Sequence, residues 1–543
     1  MFLILISTIF IFPTLMGWGK ITNSLFGSLC KGISGNIFSG IFIISLIWTI
    51  LSFFFPLNIY VEVITILIGL FFFFREKLYL PLYNFSKKET VLFGGIILLI
   101  LFGSSFHPFI LDHFGYYIPS LKWLTEYGLV KGISNLDLTL GQMSIWHIFQ
   151  AGFSNFTDPF LRINAILLII YSLYIIENKS WIQLCFIPVL LLFSQSPSPD
   201  LPVIIFSIIV LSEIVKENKN VHLIFAFSVF VFAIKPTMIW LPILSFLYSI
   251  FIVKFNFKNL IPGTIILLLF FIKNIWTFGY PIFPISIGDL GISWKPNPEV
   301  LKISSQYAIL KTYDMQYSYQ EIQQFSGLDY IKNWLFLKGI KSKINILFIL
   351  SLFLFIVFTY IKKNKIITLI CISIIIKSAL VLLFSAQYRF FIDVFFVIFF
   401  VMFISYFTQK KSLYIFSGLS IFFILFLSFP NLVQKLVPSF RLGNFMTKFE
   451  KEQFYKPSVY YYKKFESYKI GNLKFNVSKD YPYNFDTQLP AISTSFIFDD
   501  INANIFPQLI DENNIQKGFI WKNLTEKEKK EAQNVINNIK KHP

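Results

Sequence analysis

Residues 344–385 read INILFILSLFLFIVFTYIKKNKIITLICISIIIKSALVLLFS. Two apolar runs, 344–361 and 365–385, flank the basic turn Lys362-Lys363-Asn364-Lys365. Each run is about 20 residues long, the length a helix needs to cross a hydrocarbon layer of ~30 Å. A helix is also the open structure that satisfies its own backbone in lipid. Working outward, the same reading gives spans at 2–17, 37–56, 58–74, 91–107, 161–176, 181–196, 199–215, 221–234, 236–254, 260–278, 390–408 and 412–429. The expected fold class is therefore all-α, a polytopic membrane bundle of about 14 transmembrane helices. The stretch 140–154 (LGQMSIWHIFQAGFS) is apolar but short, and reads as a re-entrant or interfacial helix.

Composition agrees. Of 543 residues, 55% are hydrophobic and 14% charged, against about 25% charged in soluble domains. Mean hydropathy is +0.66. Disorder is excluded, because it requires low hydrophobicity. The net charge of +18 would suggest nucleic acid in a soluble protein. Here the cations sit in short loops between apolar runs, as topology demands, so no nucleic-acid partner is expected. Cys30, Cys185 and Cys371 are far apart and form no metal or disulfide pattern. Met1 to Gly17 lacks a charged leader and reads as an uncleaved first span.

Loops rich in Lys and Arg mark the cytoplasmic side. They contain Arg75, Lys77, Lys87 and Lys88; Lys216 and Lys219; Lys254 and Lys258; Lys362, Lys363 and Lys365; and Lys410 and Lys411. Strict alternation puts all of them on one face. The other face then receives the N-terminus, outer loops 108–160 and 279–343, the turn SPSPD at 196–200, the turn around Arg389 and the tail. The chain divides into a transmembrane domain, 1–429, and a soluble extracytoplasmic tail or small domain, 430–543.

Five places on that outer face could carry chemistry. Asp112 and His113 follow the fourth span, and such an acid suits a general base, a metal ligand or a helix cap. Asp200 closes a proline-framed turn, as a cap or as a functional acid at the membrane edge. Lys235 stands between two spans, as a snorkelling side chain or a phosphate contact. The segment from Lys273 and Asn274 through Tyr280 to Trp294 is an aromatic turn, suited to stacking on a sugar or prenyl chain or to anchoring in the interface. Arg389 suits phosphate with its planar fork, or pairs with Asp393 at i,i+4. There is no Walker motif, Rossmann glycine pattern or HExxH.

At these residues the chain resembles a bacterial family of multi-spanning membrane proteins related in layout to the GT-C glycosyltransferases. That family's first outer loop runs approximately D-x-x-x-Y-H-x-x-x-x-K-W, then G-x-V-x-G-x-x-N-L-x-x-R-x-G. The matches are Asp112, Tyr116, Lys122, Trp123, Gly128, Val130, Gly132, Asn135, Leu136 and Gly141. Tyr117 stands where His is usual, and Thr139 where Arg is usual. Ser196 to Asp200 matches in full. Asn274, Gly279, Tyr280, Pro281, Phe283 and Pro284 match a second motif, with Lys273 replacing Arg.

The resemblance implies an enzyme of the bacterial inner membrane with its active face periplasmic. It implies transfer of a sugar from a polyprenyl-phosphate-linked donor to a glycan, lipid or protein acceptor. Asp112 would be the base, with Asp200 supporting it or holding the acceptor. Arg389, Lys235 and Lys273 would neutralise the departing phosphate. His113, Tyr116, Tyr117, Lys122, Asn274, Tyr280 and Trp294 would complete the substrate contacts. No metal ligands are assigned; a divalent cation is compatible with these residues and not required by them. Two rivals remain: a polysaccharide polymerase or ligase of surface-glycan assembly, and a lipid or solute transporter without chemistry. Sharing one phosphate substrate requires Asp112, Asp200 and Arg389 to line one cavity within about 10–12 Å.

Overall fold

The computed structural model describes residues 1–254, 256–438, 446–462, 464–479 and 481–541. Each of the 14 apolar stretches is wholly or mostly helical. Seven helices are long and apolar enough to cross a membrane: Phe2–Phe26, Gly32–Leu51, Pro236–Val253, Phe257–Phe278, Ile340–Lys362, Lys365–Phe384 and Gln409–Ser428. The other stretches fall short for visible reasons. The helix Lys87–Ser104 spends its first turn on Lys87, Lys88 and Glu89, where Ser86 and Glu89 form a capping box. Residues 181–193 break into a 3-10 turn, a short helix containing Pro188 and another 3-10 turn. The 12-residue helix Ile392–Phe403 reaches only about 18 Å. Apolar composition therefore marked helices well, but marked bilayer-length helices less well.

Helix ends follow local chemistry. Asn58, Asn364 and Thr408 cap their helices by accepting from backbone amides. Gly279, at φ 92°, closes Phe257–Phe278 in the left-handed region. Close helix approach is set by small residues: a Cβ on Gly17 would lie 1.9 Å from the Gly69 carbonyl oxygen. Trp48, Trp123, Trp146 and Trp240 are fully buried in the main core. The short helix Ile145–Phe153, within the stretch read as re-entrant or interfacial, is buried at every residue.

The loops sort to two ends. At one end the Met1 ammonium donates to the Gln453 carbonyl (2.5 Å), and Leu57 N–H to Leu124 O (2.9 Å). Asn135 Nδ2 donates to Trp294 O (2.8 Å) and Phe519 O (3.3 Å). At the other end, Glu177 accepts from the Ile33 and Ser34 amides (2.7 and 2.9 Å), and Asn218 Nδ2 donates to Leu29 O (2.9 Å).

The tail is not all-helical. It holds two antiparallel hairpins, Phe465–Ile470 with Leu473–Ser478 and Ile505–Leu509 with Phe519–Asn523. Phe519 N–H donates to Lys131 O (3.0 Å), and Trp521 Nε1 to Lys295 O (3.0 Å). The tail is thus packed onto both outer loops and shares the main core.

Candidate functional site

Four separate segments bring charge together at the tail-bearing end. Asp112 precedes a π-helical turn, His113–Tyr117, closed by Ile118 N–H donating to His113 O. Pro119 offers no amide to the ladder, which favours such a break, and π turns recur at functional sites. Asp200 is the first residue of Asp200–Val215 and makes no capping bond. Lys235 is extended (φ −149°, ψ 112°) because it precedes Pro236. Arg389 sits in the short turn Tyr388–Phe390.

Arg389 Nη1 donates to Asp112 Oδ2 at 2.9 Å. Lys235 Nζ donates to the Asp200 carboxylate and, at 3.4 Å, to the Arg389 carbonyl. Ser198 Oγ donates to Asp200 Oδ2 (3.2 Å) and accepts from Tyr117 OH (3.4 Å). Both cations also lie over Phe390, at 5.3 Å for Lys235 and 5.0 Å for Arg389. The Asp112 and Arg389 side chains are 38% and 39% exposed, so this pair is open to solvent and to a ligand. Lys235 and Asp200 are more enclosed.

The rings behind the pair are Tyr116, Tyr117 and His147, with centroids 4.6–5.5 Å apart. Burial, then the neighbouring Asp112 charge, hold the Tyr116 phenol well above its ordinary value. Burial does the same for Tyr117, followed by Tyr116 and Asp112. Both phenols stay neutral and able to donate. Burial pulls the Arg389 guanidinium down, but Asp112 and Asp200 outweigh it, so Arg389 titrates above its usual value.

The local alternatives read from sequence do not describe these contacts. Arg389 does not take Asp393. That acid pairs with Lys377, which is fully buried in the helix Lys365–Phe384. Trp240 Nε1 also donates to Asp393, at 3.0 Å. Lys377 lies inside the stretch that decides the fold, and sequence reading passed over it. A charge within an apolar span was the signal. Lys311 was also missed. It lies within electrostatic reach of Arg389 and Asp112, and its ammonium is lowered by the surrounding protein, then by Arg389.

Other expected contacts lie outside the cluster. Lys122 Nζ donates to Asp486 O and Oδ1 (3.1 and 3.2 Å) and Thr487 O (3.1 Å) in the tail. Lys273 is buried and donates to Met143 O (2.7 Å). Asn274 Nδ2 donates to Pro281 O (2.8 Å) and Trp294 Nε1 to Ile275 O (2.9 Å). Tyr280 is buried in a small cluster with Phe278. His113 is buried against Phe114. In this arrangement these residues build the walls and backbone of the outer loops.

Among the described residues no three His, Cys, Asp or Glu side chains converge to hold a metal ion. Asp112 and Asp200 instead each face a cation, so the donor set offers a divalent ion no ready cradle. Two clefts form elsewhere. One of about 610 Å³ lies at the opposite end beside Lys31, Glu177 and Lys179. One of about 300 Å³ lies within the tail.

The bundle with its apolar spans defines a helical membrane protein. Residues 1–396 match the model of a family described as a domain of unknown function, DUF8201, and the chain belongs to that family. No curated protein and no solved structure matches it.

Proposed function

We propose that the chain is a GT-C-like membrane glycosyltransferase. It crosses the bacterial inner membrane about 14 times, counting tilted and short helices. The end carrying Asp112 and Arg389 faces the periplasm. The donor is a sugar on a polyprenyl phosphate; the acceptor is a glycan, lipid or protein hydroxyl. The observation that carries this reading is the pairing of two acids with two cations from four segments at one end of the bundle.

Half-exposed ion pairs contribute little, about 0–1 kcal/mol each. A phosphate can therefore take Arg389 from Asp112, offering two oxygens to the guanidinium fork. Asp112 then faces the acceptor unpaired. It accepts the hydroxyl proton as the acceptor oxygen bonds to the sugar C1. The bond from C1 to the phosphate oxygen breaks, and its electron pair leaves with the phosphate. Arg389 and Lys235 stabilise that charge. Asp200 holds Lys235 in place between turnovers.

The test is turnover of polyprenyl-phosphate sugars by purified protein. Asp112→Asn is expected to lose about 10²–10⁴-fold, the usual contribution of a general base, and Asp200→Asn less. Full activity in both variants removes the reading. A second reading, transport without chemistry, draws on Lys377 and Asp393, a charged pair among apolar helices as carriers use. Flux across proteoliposomes without sugar transfer would favour it.

A further inference from the structure

The outer loop before Ile340–Lys362 carries a short helix, Gly327–Leu335, that the charge cluster does not use. Its start is fixed by a capping box: Asp329 accepts from the Ser326 amide and hydroxyl (3.1 and 2.7 Å). Leu328 and Ile331, at i and i+3, share one face, while Leu335 is half-buried against the core. That face is turned outward. Leu328 is 80% exposed and Ile331 59%, and Phe336, just past the helix, is 66% exposed.

The C-terminal turn of the helix is tied to the protein. Trp334 is buried and donates to Ala386 O at 2.8 Å. Its own carbonyl accepts from Asn345 Nδ2 at 2.8 Å. The helix is thereby held to Ile340–Lys362 and to the turn that leads to Arg389. Exposed Lys332, Lys338 and Lys343 lie within and just beyond it. A few residues later begins the exposed apolar face of Ile340–Lys362, including Leu347, Leu350 and Phe353. In a membrane-crossing helix that face meets lipid, so the outward stripe of Gly327–Leu335 continues an acyl-facing surface.

We propose that Gly327–Leu335 is a membrane-surface helix. Leu328, Ile331 and Phe336 enter the acyl boundary, and Lys332, Lys338 and Lys343 meet anionic phosphate headgroups. Amphipathic helices flanked by cations bind bilayers in this way, buried about 5–10 Å. Lys341, which pairs with Asp314, also lies 5.4 Å from the Tyr388 ring. Since Trp334 bonds to the Ala386 carbonyl, three residues before Arg389, lipid headgroups on this helix would lie beside the Arg389 turn. The inference stands whether or not the chain transfers sugars.

The test uses the full chain in nanodiscs of zwitterionic and anionic phospholipid. Leu328→Cys, Ile331→Cys and, as a solvent control, Glu526→Cys carry an environment-sensitive fluorophore. Cys30, Cys185 and Cys371 are buried, and the unsubstituted chain measures their background. Expected at 328 and 331 are blue-shifted emission and loss of about half of it to spin-labelled lipid, with neither at 526. Lys332→Gln/Lys338→Gln/Lys343→Gln should weaken that quenching where anionic lipid is present. Solvent-like emission at 328 and 331 overturns the proposal. So does a blue shift that spin-labelled lipid fails to quench, which would mean that a second copy or a partner protein covers the face.

Discussion

Two acid–cation pairs in this protein use the same chemistry in opposite settings. Asp112–Arg389 is more than a third exposed on both sides. Lys377–Asp393 is fully buried on the lysine side and nearly so on the aspartate side. The first can exchange its partner for a ligand at little cost. The second cannot, because separating its members would strand charge in an apolar interior. The buried pair joins Lys365–Phe384 to Ile392–Phe403, and Trp240 adds the helix that follows Lys235. The locked pair thus fixes the spacing of the two segments that carry the exchangeable cations.

The sharpest break in that comparison is removal of one buried partner. Lys377→Met should cost about 3–5 kcal/mol of stability, whereas Lys377→Met/Asp393→Leu should recover most of it. Thermal melts of purified protein measure both. Equal losses in single and double variants would mean that the pair is not locked in this sense.

A third charge setting lies where the tail meets the first outer loop. Burial raises Asp137 to about 6, and Asp500 also titrates well above its ordinary value through burial, then Asp499 and Asp137. An acid raised on folding stabilises fully at low pH and loses that contribution as pH rises through its folded value. For Asp137 the loss is up to about 3 kcal/mol between pH 4 and 7. Asp137→Asn should therefore flatten the pH dependence of the melting temperature over this window. An unchanged profile would sink the assignment.

Smaller effects test the exchangeable pair. Arg389→Lys keeps the charge but loses the fork, and should weaken polyprenyl phosphate binding about tenfold. Titration of the phosphate in detergent or nanodiscs reads it directly. Tyr117→Phe should change the same affinity less than about threefold, because its bond to Ser198 is long at 3.4 Å.

Much of this was legible from patterns local in the chain. The apolar runs became helices. Asp112, Asp200, Lys235 and Arg389 came together. The particular pairings were not legible. Spacing offered Asp393 to Arg389 at i,i+4, while the actual partner stands 277 residues away. Hydropathy averaged Lys377 into its neighbours and lost a buried charge that joins two helices. It also counted apolar residues without seeing Pro188 or the charged first turn of Lys87–Ser104, hence the excess of bilayer-length helices. Asn274 matched a motif and Lys273 and Trp294 were read as substrate contacts, yet their side chains bond to main-chain carbonyls, which no spacing rule reveals.

The central claim is that Asp112–Arg389 is a working pair rather than a strut. Reversing it separates the two. Asp112→Arg/Arg389→Asp keeps an ion pair across the same segments and moves the acid away from the π turn. The account predicts a melting temperature close to wild type with no measurable turnover of a polyprenyl-phosphate sugar. Turnover at the wild-type rate by the reversed pair would contradict it.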